Sequence, residues 1–285
     1  MTAAAHDLTL ADLGVAAETT AVLDVGHAAK VAATLDRPAP ADGDRLPSLW
    51  HWAWFTPTAP TADLGPDGHP RLGSPRLADF PRRMWGAGSL TWPGELRVGE
   101  PATKRTELAG VREVSGRSGA LLLVTLRHEV HQRGVVQVRE EQSIVYRAQG
   151  DPIPMPEGDV TTETPEGGWR EVVAPEPPLL LRFSAVTFNA HRIHYDLAYA
   201  REVEGYPGLV VHGPLTSMLL AGFVEARTGR RLAGWTFKAT APLFAGRPVT
   251  LTAAPEGDDD TKVAATATRH DGTAAMSASA ALVAS

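Results

Sequence analysis

Apolar residues recur along this chain with two periods, and each change of period marks an element. After Gly213-Pro214, the residues Leu215, Met218, Leu219, Phe223 and Ala226 share one helical stripe, with Leu220 and Val224 beside it. That pattern predicts a buried helix of roughly 13 residues, ~20 Å long. Pro214 suits its first turn, where a missing N–H leaves no bond unmade. Residues 9–13 and 26–35 read as shorter helices before Pro38, Pro40 and Pro47 break the pattern. From about residue 103 the apolar and β-branched density becomes that of strands, at 120–127 and 135–146. Their connection, His131 to Gly134, is short enough for an antiparallel hairpin. Strand signals return at 247–253, 262–269 and 273–284, with turns at 257–260 and Asp271-Gly272. A helical segment followed by antiparallel strands, used twice, predicts a duplicated α+β unit.

Three stretches interrupt that scheme. In residues 49–55 Trp50, Trp52 and Trp54 alternate, so an extended segment would put them on one face; core packing is the favoured reading, a substrate-channel wall the sharper one. Residues 56–82 are irregular, with a turn at Asp67-Gly68. Residues 149–178 are so dense in Pro, Glu and Gly that they read as a linker.

Composition narrows the function. With 285 residues, 43% hydrophobic and 21% charged, the chain is an ordinary globular protein of one large or two smaller domains. A net charge of −6 without any Lys/Arg run argues against nucleic acid or an anionic membrane as partner. A CoA or phosphopantetheine ligand needs only two or three local cations and stays open. The absence of cysteine excludes disulfides, thiolate nucleophiles and Cys-ligated zinc, and fits a reducing compartment. Residues 1–7 show neither a basic nor an apolar leader pattern, and no apolar run approaches the ~20 residues of a membrane span. The expectation is a cytoplasmic protein.

The chemistry concentrates just before the long helix. Asn189, His191, His194 and Asp196 fall in one short string, and His212 immediately precedes Gly213-Pro214. Polar groups at a helix start, where free N–H groups and the dipole favour negative charge, suit an anion-stabilising site. His194, Asp196 and His212 could also be read as a facial metal triad, but a Gly/Pro turn intervenes and nothing else supports that class, so no metal and no cofactor is expected. Arg82-Arg83-Met84-Trp85-Gly86 reads either as a solvated Arg pair or as phosphate recognition at a Gly-rich turn.

The string Ser184-Ala-Val-Thr-Phe-Asn189-Ala-His-Arg-Ile-His194-Tyr-Asp196, followed by Val211-His212-Gly213-Pro214-Leu215, resembles the active-site signature of the MaoC-like, type-2 (R)-specific enoyl-thioester hydratases. The branch resembled holds mesaconyl-C4-CoA and itaconyl-CoA hydratases and the mitochondrial type-2 3-hydroxyacyl-thioester dehydratase. Trp54-Phe-Thr-Pro57, Asp67-Gly-His-Pro70, Pro81-Arg-Arg-Met-Trp85 and Glu140-Glu-Gln-Ser-Ile-Val-Tyr-Arg147 carry the likeness into the first half. The resemblance implies a double hot-dog fold, in which two antiparallel sheets each wrap a helix: residues 1–150 an N-terminal hot dog shaping the substrate pocket, 151–178 a linker, 179–285 the catalytic hot dog. It implies a hydro-lyase adding or removing water across the α,β-double bond of an acyl-CoA, most simply a short branched dicarboxylic one. A 3-hydroxyacyl dehydratase on CoA- or carrier-protein-bound chains is the alternative, and a non-catalytic acyl-CoA-binding module the reading from another class. Monomer and homodimer are both open.

Matching on His194 places Asn189 where the wider family has its catalytic aspartate, and His191 where an Asn usually stands. A neutral amide cannot accept a proton, so the two-residue acid/base scheme does not carry over unchanged. The resemblance assigns His194 to proton transfer, Asn189 to holding water or orienting His194, and the Gly213 N–H to the thioester oxygen. His212, Tyr195, Arg192, Arg82, Arg83 and Trp85 are the substrate-binding candidates, the arginines for a free substrate carboxylate.

Overall fold

In the computed structural model, which describes residues 8–116, 119–257 and 259–284, the chain is α+β, built on a ten-stranded sheet whose ladders are all antiparallel. The first half runs β1 (Glu18–Val22), α1 (Val25–Thr34), β2 (Arg82–Thr91), β3 (Pro101–Gly116), β4 (Gly119–Gln132) and β5 (Val135–Arg147). The second runs β6 (Trp169–Val173), α2 (Pro177–Val186), α3 (Leu197–Glu202), α4 (Gly213–Thr228), β7 (Leu232–Ala239), β8 (Val249–Glu256), β9 (Asp259–Arg269) and β10 (Ala274–Leu282). The spatial order β1-β3-β4-β5-β2-β7-β10-β9-β8-β6 is one five-strand arrangement followed by its mirror order. β2 and β7 join the halves, from Ala87 opposite Lys238 to Thr91 opposite Gly234. The duplication legible in the strand pattern is thus present in the topology.

Local chemistry accounts for the ends of these elements. Asp24 caps α1 by accepting the His27 N–H, and the αL residue Gly229 closes α4. Arg133 and Gly134, with φ of 55° and 75°, make the two-residue turn between β4 and β5 that the sequence implied. α4 spans 16 residues, longer than the stripe alone suggested, and packs against β2 and β7–β10. Leu215, Leu220, Phe223 and Val224 are almost wholly buried there beside Trp235 and Phe237.

Four expectations change. Residues 9–13 form only a turn held by Thr9 and Asp12, too short to propagate a helix. Trp50 to Ala53 is a 3₁₀ turn rather than an extended segment, so the tryptophans do not share a face: Trp50 is buried in the core and Trp52 points to the polar interior of the first half. The Arg82–Gly88 stretch is not a loop but most of β2. The Pro-rich segment 151–178 carries β6 and hydrogen-bonds to the second half through Ile153 and Val160. No helix of the described residues is long and apolar enough to cross a membrane.

Candidate active site

Three short devices bring the residues of 184–213 together. Beyond α2 the chain turns at Phe188, a left-handed residue (φ 48°), and Asn189 closes the turn by accepting the His191 N–H at 2.9 Å. A 3₁₀ turn from Arg192 to His194 aims His194 inward. Asp196 then caps α3 by accepting the Tyr199 N–H and pairs with Arg192 at 2.7 Å. His212 stands at the N-terminus of α4, its Nε2 2.9 Å from the Ser184 hydroxyl.

His194 is the centre of the group. Its Nδ1 lies 2.7 Å from the Val210 carbonyl, so the ring donates there and leaves the Nε2 lone pair free. Its ring stacks on His212 at 3.6 Å and meets the edge of His191 at 5.3 Å. Burial pushes His194 down to about 4, with His69 acting in the same direction and the bond to Val210 against it. Burial also holds His191 and His212 well below the ordinary histidine value, helped by the neighbouring imidazoles. All three rings are therefore neutral near pH 7.

Gly213 opens α4, and among the described residues nothing accepts its N–H. A Cβ there would stand 2.9 Å from Trp85, so only glycine lets the indole close over the helix start. Trp85 sits where β2 bulges against β5 and stacks on Phe237 at 4.4 Å. Gly213 and Trp85 face a cavity of about 1680 Å³ that both halves line, larger than the ~300–1,000 Å³ of ordinary ligand pockets.

The other candidates divide. Tyr195 lines the cavity and donates to the Ala190 carbonyl, although half its surface is exposed. Arg82 is buried and committed to Glu204 and Gln149, and Arg192 to Asp196 and the Tyr199 ring. Arg83 lines the cavity near His69 and His191; among the described residues its guanidinium has no hydrogen-bond or ion-pair partner.

Two groups in the cavity wall had no role in the sequence reading. In the turn at 65–69, Asp67 accepts from the His69 ring at 2.9 Å, and the His69 ring lies 4.1 Å from that of His191. Gly68 is pressed so closely on the Ala190 carbonyl that a Cβ would overlap it, and the Arg192 N–H donates to the Asp67 carbonyl, locking this first-half turn to the second-half loop. Asp67, His69 and His191 also place their ligand atoms within 4.8 Å of one another, with an Asp67 oxygen bonded to the His69 ring. Deeper in the first half, Glu140 accepts from Trp52 at 3.0 Å and lies 3.3 Å from His51, beside Lys104 and His128. The available signal was the placement of both groups in strings that resemble the family, Asp67-Gly-His-Pro70 and the run from Glu140.

Comparison with known proteins agrees. Residues 49–245 match the family model for hydroxyacyl-thioester dehydratase type 2. The chain is 44% identical, over 87% of its length and 88% of the relative's, to mesaconyl-C(4)-CoA hydratase of Chloroflexus aurantiacus. HtdX of Mycobacterium tuberculosis superposes with a TM-score of 0.67 at 19% identity, covering 93% of this chain and all of that one. A second protein of that organism, described as a double hot-dog fold, superposes at 0.53 with 16% identity over 93% and 94% of the two chains. A sheet of mirrored halves, a buried histidine at the start of its long helix and these matches lead to one conclusion: the chain belongs to the type-2 hydroxyacyl-thioester dehydratase family, hydro-lyases of MaoC-like, double hot-dog architecture.

Proposed function

We propose that this hydro-lyase interconverts a short, branched, dicarboxylic enoyl-CoA and its hydroxyacyl-CoA, of the mesaconyl-C4-CoA and citramalyl-CoA kind. The second half, residues 179–285, carries the chemistry, and the first, residues 1–150, shapes the acyl pocket. Neutral His194 presents its Nε2 lone pair to the reacting water and holds it by one O–H. The Gly213 N–H, at the positive end of α4, receives the thioester oxygen as negative charge develops on it. Asn189 shapes the turn that holds His191 and His194, since its carbonyl is engaged by the His191 N–H. His212 backs the His194 ring, and Trp85 walls the thioester position.

The observation that carries the substrate reading is Arg83, a cation with no partner among the described residues, in the cavity wall near the histidines. A free substrate carboxylate would pair with it, while Arg82 and Arg192 serve the fold. The relative's activity toward mesaconyl-C(4)-CoA points the same way. Loss or gain of the enoyl-thioester absorbance, followed with a panel of acyl-CoAs, tests this. Dicarboxylic substrates should turn over, His194→Ala should cost about 10²–10⁴-fold with circular dichroism unchanged, and Arg83→Ala should raise KM for dicarboxylic thioesters alone. Equal turnover of monocarboxylic enoyl-CoAs would refute the substrate assignment. The size of the cavity favours a second reading, dehydration of longer 3-hydroxyacyl chains on CoA or carrier protein, which the same panel separates.

A further inference from the structure

Hydration needs a group that can hold a proton between the water and the α-carbon. Asn189 cannot hold one, and its carbonyl is already occupied by the His191 N–H. An imidazolium at His194 would have no counter-charge, because its backing partner is the Val210 carbonyl rather than a carboxylate and its ring lies flat on another buried imidazole. A carboxylate–imidazole pair does stand beside it, delivered from the other half of the chain. Asp67 holds His69 from its Nδ1 side at 2.9 Å, which leaves the His69 Nε2 lone pair free; that nitrogen has no partner among the described residues. The His69 ring is 4.1 Å from His191, whose ring is 5.3 Å from His194, and all three line the same cavity. The placement is built in, since Gly68 permits the close approach to Ala190 and Arg192 ties its own N–H to Asp67 and its guanidinium to Pro66.

Building on the hydratase reading, we propose that His69 is a catalytic acid/base of this site and Asp67 its positioning residue, together replacing the carboxylate that position 189 lacks. In the hydration direction the water oxygen bonds to the β-carbon as one of its O–H bonds breaks and that proton passes to His69 Nε2. The other O–H is held by His194 Nε2. The π electron pair moves to the α-carbon and the thioester oxygen at Gly213. The His69 imidazolium, balanced by Asp67, then gives its proton to the α-carbon, and the product hydroxyl keeps the other. Dehydration runs the same steps in reverse, with neutral His69 removing the α-proton. The arrangement follows the logic of a histidine oriented and charge-balanced by an aspartate.

The test compares wild type, His69→Gln, Asp67→Asn and the double variant His69→Gln/Asn189→Asp, each as the full chain, on whichever enoyl-thioester the wild type turns over. His69→Gln should lower kcat at least 100-fold with KM within about threefold, and Asp67→Asn should lower kcat at least tenfold. Asn189→Asp in the His69→Gln background should recover at least tenfold, a rescue that a merely structural His69 would not allow. A kcat for His69→Gln within threefold of wild type would overturn the proposal. So would activity that is lost to a chelator and restored by a divalent cation, since Asp67, His69 and His191 would then be metal ligands. If the wild type turned over none of the thioesters, the dyad would fall together with the proposed function; turnover surviving in His69→Gln would sink the dyad alone.

Discussion

The two halves of the sheet share a strand order but not an interior. In the second half the inward residues of β9 and β10 are apolar, Val263, Ala265 and Ala267 on one strand and Met276, Ala278 and Ala280 on the other, and α4 packs onto them. In the first half, among the described residues, no α-helix lies between α1 and β2, where the second half has the 16-residue α4, and the inward rows carry polar groups. Thr106, His128 and Glu140 stand directly opposite one another across β3, β4 and β5, with Lys104 and Gln142 nearby in the cavity wall. One sheet face is filled by a helix, and the other is left open toward the cavity. The lesson is that the same scaffold serves two ends: a packed copy that fixes the start of α4, and an open copy that lends its space and its Asp67–His69 turn to the other half's histidines.

The sharpest way to break this contrast is to give the packed half a polar interior. Ala265→Glu would bury an unpaired charge beneath α4, and urea denaturation should show a loss of about 3–5 kcal/mol or failure to fold. A cost below 1 kcal/mol would mean that the packed half is as open as the other.

Acid should separate the halves by pH window. His194 has a folded value near 4, below its unfolded 6.5, so the unfolded chain binds more protons between the two and stability declines as pH falls from 6.5 to 4. Burial alone would raise Glu140, but the His51 bond and the His128 charge outweigh it and bring it to about 2, so its contribution is complete above 4.5 and lost as pH falls toward 2. Each shift corresponds to about 3 kcal/mol. Urea midpoints measured against pH should flatten between 6.5 and 4 in His194→Gln, in part because His191 and His212 share that window, and between 4.5 and 2 in Glu140→Gln. Identical pH profiles for the two variants would contradict the assignment.

The smallest effect tests the open half near neutral pH. Glu140→Gln keeps the shape but loses the charge facing His51 and Trp52, and should cost about 1–3 kcal/mol. If activity fell much further than stability, the polar row would belong to the substrate pocket as well as to the fold.

Local pattern determined a good deal. The stripe from Leu215 to Ala226 specified α4, the alternation in β4 and β5 specified a hairpin, and the Gly/Pro punctuation specified where strands end, because periodicity and backbone preference act over a few residues. The string from Asn189 to Asp196, with His212-Gly213, marked the site, and its one discord, the amide at 189, was legible too. Other features belonged to tertiary structure. β1 and β7 are short or weakly patterned and exist through pairing with β3, β2 and β10. The tryptophans of 50–54 alternate as a strand would, yet they coil because Trp50 and Trp52 find different partners. Arg82, Arg83 and Arg192 are alike in sequence, and only the fold pairs two of them with Glu204 and Asp196 and leaves the third in the cavity wall with no partner among the described residues. Position 69 lies more than a hundred residues from 191, and no local rule joins them. The close contact of Gly68 with Ala190 does, because proximity in space is decided by how the two halves pack.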